Sequence, residues 1–137
     1  MGKAFPFKLI TPKAVVFQGE AELVIGVGTE GEEGILASHA PFLTALKPGV
    51  LRANVILADA PHRLEFATSE GFMQALPDRV TVLVDAALAE NEIDLTAARE
   101  ELAAATERQK AFAAQTADFE REQAAIDFAN AKIALVS

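Results

Sequence analysis

A chain of 137 residues with 51% apolar content fits one compact domain, or one such domain with an appendage, and excludes disorder throughout. A formal charge of −8 and a pI near 4.7 argue against nucleic acid, which calls for a basic stripe, and against an anionic bilayer. Cysteine is absent, no stretch approaches the roughly 18 consecutive apolar residues of a membrane span, and the opening Met-Gly-Lys-Ala-Phe-Pro resembles neither a secretory core nor an Arg/Ser-rich presequence, so the expectation is a cytoplasmic protein without membrane insertion.

From the N-terminus, apolar residues alternate with period two: Phe5/Phe7/Leu9, Leu23/Ile25/Val27, Leu51/Ala53/Val55/Leu57, Leu64/Phe66 and Val80/Val82/Val84 each line one face of a half-buried strand. Turn signals separate them at Thr11-Pro12, Gly28 to Gly34, Pro48-Gly49, Asp59-Ala60-Pro61 and Pro77-Asp78. This spacing predicts eight to ten strands in an all-β sandwich or small barrel. Residues 30–49 stand apart within it. Gly31 and Gly34 admit backbone angles closed to other residues, Pro41 and Pro48 fix φ, and Glu30, Glu32 and Glu33 crowd into four positions, which reads as a rigid acidic loop turned outward for docking.

All eight glycines lie at or before Gly71 and all six prolines at or before Pro77, placing a boundary near residues 86–92. The division is a β domain over 1–87 and a helical domain over 88–137. The second part carries fifteen alanines, a helical stripe Leu95, Ala98, Leu102, Ala105, Phe112, and a second stripe Phe119, Ile126, Ile133, with Phe128 and Leu135 on another side. A helix with two apolar sides wants two partners, so an antiparallel two-helix hairpin against the β domain is expected. The turn falls within 113–118, where Thr116 is placed to cap the second helix and Asp118 and Glu120 suit its positive N-terminus. No glycine or proline enforces that turn.

Catalytic chemistry has few residues to draw on, with two histidines and no Cys, Tyr or Trp. His39 near Glu32 and Glu33 can be drawn as an acid–base pair, yet no nucleophile motif accompanies it, and no His pair has metal-ligand spacing. Gly26-Val27-Gly28 is followed by Thr29-Glu30 rather than a third glycine opening a helix, so it is not a dinucleotide fingerprint. His62 is expected to lie exposed in a hairpin turn.

The order Gly31-Glu32-Glu33-Gly34-Ile35, His39-Ala40-Pro41, Thr44, Leu46 and Pro48-Gly49 resembles the signature of the epsilon subunit of bacterial F-type ATP synthases, and the layout of a β-rich first part and an alanine-rich helical tail extends the likeness over the whole chain. The resemblance implies an N-terminal ten-stranded β-sandwich or barrel followed by a C-terminal two-helix antiparallel hairpin. It implies a non-catalytic central-stalk (rotor) subunit of a proton-translocating complex, with the γ subunit and the c-subunit ring as partners. Contact of the helices with the α and β catalytic subunits and regulation of ATP hydrolysis would follow, at the cytoplasmic face of the bacterial plasma membrane. Glu30, Gly31, Glu32, Glu33, Gly34, His39, Ala40 and Pro41 would form the interface with the c ring and γ.

The chain departs from the family pattern in two places. Where several members open the first helix with Ile/Leu-Asp-x-x-Arg-Ala, a motif that helps bind ATP, this chain has Leu95-Thr96-Ala97-Ala98-Arg99-Glu100; Asp94 and Arg99 are the nucleotide-binding candidates that remain, so ATP binding is expected to be weak or absent and no cofactor is implied. Residues 88–137 hold five basic against ten acidic side chains, a net of −5, poorly matched to an acidic segment of the catalytic β subunit. From the residues alone a second reading stays open: a free-standing small-ligand-binding β-barrel with a helical lid, its mouth lined by residues 30–49.

Overall fold

The computed structural model describes residues 3–37 and 40–137. Nine strands come first: β1 (Phe5–Ile10), β2 (Val15–Gly28), β3 (Gly31–Ile35), β4 (Phe42–Leu46), β5 (Gly49–Leu57), β6 (Ala60–Thr68), β7 (Gly71–Leu76), β8 (Arg79–Val84) and β9 (Ala87–Leu88). A 3₁₀ turn at Glu90–Glu92 leads to α1 (Leu95–Gln109) and α2 (Ala117–Val136). The strands form one curled sheet in the order β1-β8-β7-β4-β2-β5-β6-β9, closed by a β1–β2 pairing, with β3 beside β2. Nine strands are present among the described residues, and β2 is one 14-residue strand, its first part paired with β1 and its last with β3. The expected division between residues 87 and 88 falls within β9.

The period-two pattern places the core as expected in β1, β5 and β8: Phe7, Leu9, Val55, Val80 and Val82 are no more than 2% exposed. The tip of β5 differs, because Leu57 leads into a two-residue turn, Ala58 and Asp59, both with positive φ, and is 39% exposed. His62 is exposed but sits in β6, opposite Val55, rather than in the turn.

In β2 the sequence pattern points to the wrong face. The register against β5 shifts between Ala21 (opposite Val55) and Leu23 (opposite Asn54), inserting one residue. Such a bulge reverses the parity of everything beyond it. Ala21 faces the core before the shift and Val24, Gly26 and Gly28 face it afterwards, leaving Leu23, Ile25 and Val27 half-buried on the outer surface.

The hairpin closes as the two apolar sides of its second helix require, α2 lying between α1 and the β5–β6 face of the sheet. Asp94 caps α1, its carboxylate accepting from the Ala97 N–H at 3.1 Å; Thr116 caps α2, its hydroxyl accepting from the Phe119 N–H at 3.2 Å and donating to the Ala113 carbonyl. α1 stops at Gln109, so Phe112 belongs to the connection rather than to the helical stripe. Reversal is completed at Gln115, which takes φ +69°, a left-handed angle that costs a non-glycine residue about 1 kcal/mol. Ion pairs tie the helices at both ends, Arg108 to Glu122 at 3.1 Å and Lys132 to Glu101, with Lys132 also 4.6 Å above the Phe128 ring.

Candidate functional site: an acidic edge hairpin and an apolar sheet face

The stretch expected to be a loop is mostly strand. Thr29 and Glu30 form the turn between β2 and β3, and Gly31 through Ile35 pair with Gly28 back to Val24. Gly31 has φ +125°, which only glycine adopts without strain, so the turn depends on it. Strand alternation then separates the three carboxylates. Glu30 is exposed in the turn, Glu32 points to the outer face, and Glu33 folds to the other side, its carboxylate resting where a side chain on Gly28 would be. Ile35, in phase with Glu33, is 1% exposed.

Glu32 is held. Its carboxylate accepts from an Nη of Arg52, which reaches over from β5. Ala40 and Pro41 are exposed just before β4, whereas the Glu30 turn lies beside the other end of that strand, where Leu46 pairs with Gly28. About 15 Å of extended chain separates these two parts. His39 lies outside the described residues.

The nucleotide candidates are not brought together. Asp94 is occupied as the α1 cap, and Arg99, five residues on, is turned away by more than a quarter of the helix circumference and is exposed. The other four basic side chains of the helical part are engaged: Arg108 with Glu122, Lys110 with Glu107, Arg121 with Asp118 and Lys132 with Glu101.

A second surface, which sequence reasoning missed, crosses the layer β1-β8-β7-β4. Register places Ile10 beside Leu83, Leu83 beside Phe72, and Phe72 beside Ala45, one apolar row on the outward face of four strands. Phe72 is 54% and Leu83 48% exposed, and Leu43, two positions along β4 on the same face, is 66% exposed. Large side chains in that state mark a docking surface rather than a finished exterior. At its end a cleft of about 480 Å³ opens between Pro12, Thr29, Lys47, Glu70, Phe72 and Leu83. The available signal was Leu83 out of phase with the buried Val80/Val82/Val84 set, together with Phe72 out of phase with Met73.

Residues 4–90 match the family described as the beta-sandwich domain of the ATP synthase Delta/Epsilon chain. The ATP synthase epsilon chain of Magnetococcus marinus is 31% identical over 134 residues, 98% of this chain and 95% of that one. That of Xanthomonas campestris is 39% identical over 115 residues, covering 84% and 79%. The chain belongs to the ATP synthase epsilon-chain family. As an epsilon chain it is a non-catalytic subunit of an ATP synthase, a peripheral component of a membrane-associated complex, and not a free-standing ligand-binding barrel. Among the described residues the inward positions of the strands form one cluster of buried apolar side chains. Among the described residues no helix is long and apolar enough to cross a membrane.

The fold likeness extends to mitochondrial assemblies. A chain in the cryo-EM structure of the Euglena gracilis mitochondrial ATP synthase (OSCP, F1 and c-ring) superposes with a TM-score of 0.75 at 19% identity, covering 93% of this epsilon chain and 78% of that chain. A chain of the Tetrahymena thermophila central stalk and c-ring gives 0.54 at 18% identity, covering 66% and 70%.

Proposed function

We propose that this epsilon chain is a rotor subunit of a proton-translocating F-type ATP synthase, seated between the γ shaft and the c ring at the cytoplasmic face of the bacterial plasma membrane. The observation that carries the reading is the pair of unlike surfaces on one rigid barrel: an apolar row, Ile10-Leu83-Phe72-Ala45 with Leu43, and a polar hairpin tip at Glu30–Glu32. An apolar face suits a permanent partner, which is γ; exposed charge suits the polar loops of the c ring, where it sets orientation more than affinity. The barrel is thus a spacer that fixes one partner relative to the other. Replacing Phe72 with Glu is the direct test: γ binding by calorimetry should weaken about tenfold or more while the thermal midpoint stays near that of the parent. Unchanged affinity would remove this face from the γ interface.

Two properties of the helical part belong to the same reading. ATP binds weakly or not at all, supported by Asp94 acting as a cap and by four of five basic side chains being spent on ion pairs. Contact of the helices with α and β is weak, supported by the net charge of −5. Saturable micromolar ATP binding in calorimetry would overturn the first.

A further inference from the structure

We propose that Arg52 is the positioning residue for the ring-facing carboxylate Glu32, an inference that rests on the reading of Glu32 as a c-ring contact. β3 is an edge strand of five residues, two of them glycine, and among the described residues it pairs with β2 alone. A carboxylate on such a strand, 54% exposed and opposite the apolar Val27, has among the described residues no ion-pair partner on its own element. The support comes from two strands away. Arg52 stands on β5 opposite Ile25, so its guanidinium runs diagonally over β2 to reach Glu32, about 10 Å across the sheet and about 7 Å along it.

Three observations mark this as a built contact. Glu65, the residue in register with Arg52 on β6, turns instead to Arg63 at 3.7 Å, leaving the Arg52 guanidinium to Glu32. Arg52 Nε is buried and has no partner among the described residues, so the ion pair is made by the outer end of the fork, and Arg52 lines one small cleft with Leu23 and Ile25. Gly34 sets no side chain of its own into the path; a Cβ there would sit against Leu23 at 3.6 Å and Ile25 at 3.8 Å. A carboxylate ordered in advance loses less freedom when it meets its partner, which is preorganisation of the docking charge.

The test uses the complete ATP synthase and reads ATP-driven proton pumping divided by ATP hydrolysis. Arg52→Met, which keeps an apolar stem over β2, should lower that ratio about threefold, within the range that an exposed ion pair can supply. Arg52→Lys should recover part of the loss, and Arg52→Met combined with Glu32→Gln should be no worse than Glu32→Gln alone. Coupling intact in Arg52→Met but impaired in Glu32→Gln would overturn the positioning role and leave the ring contact standing. Coupling intact in both would overturn the ring contact and this inference with it. An additive loss in the double variant would show that Arg52 acts elsewhere, and the same readings on Arg52→Gln serve if Arg52→Met does not assemble.

Discussion

Single residues decide whether the strands of this barrel can approach one another. Gly71 pairs with both Leu46 and Val84, and a Cβ built on it would lie 2.0 Å from the Leu83 carbonyl oxygen and 2.8 Å from the Val84 Cα. Both obstacles are backbone, so neither can swing aside. Gly71→Ala should therefore destabilise the domain by about 2–3 kcal/mol or more, read as a lower urea midpoint at unchanged slope. A shift below about 0.5 kcal/mol would mean that β7 and β8 part without cost. Gly26 is a milder case: its Cβ would meet the flexible ends of Leu46 and Met73 at 3.0 and 3.3 Å, which can give way.

At the scale of elements, what could be read from the chain was whatever each strand or helix states alone. Alternation in β1, β5 and β8 named the right core, and Thr116 with Asp118 named the start of α2, because these signals are local. β2 misled because a bulge is set by its partner's register and leaves no mark when both faces carry small and apolar residues, as Leu23-Val24-Ile25-Gly26-Val27-Gly28 does. The pairing of Glu32 with Arg52 was equally out of reach, twenty residues apart and two strands away across β2. The connection between the helices was legible as unenforced, and the structure shows its strain at Gln115. Gln115→Gly should relieve it and stabilise the closed hairpin by about 0.5–1 kcal/mol, observable as slower amide exchange at the ends of α1 and α2. Faster exchange would show that the turn is not where closure is resisted.

For the whole molecule, the balance of forces divides the chain into a barrel that docks and a hairpin that rests on it. Deleting residues 88–137 should leave a folded β domain that still binds γ, since its core residues all come from the strands and the segment leading into β4. ATP hydrolysis by the assembled complex should rise only about twofold or less, an effect of about 0.4 kcal/mol, because a tail of net −5 is repelled by an acidic partner and four of its five basic groups are already paired. Measured at low salt, where repulsion is least screened, a tenfold activation would show that apolar wedging outweighs charge.

The most direct measurement of the rotor role compares ATP synthase reconstituted with and without this subunit, recording proton pumping and ATP hydrolysis in the same vesicles. With the subunit present the two should run together. Without it, hydrolysis should persist while pumping falls to the leak level, because the barrel proposed to hold γ against the ring is missing; pumping that stays proportional to hydrolysis in its absence would contradict the account.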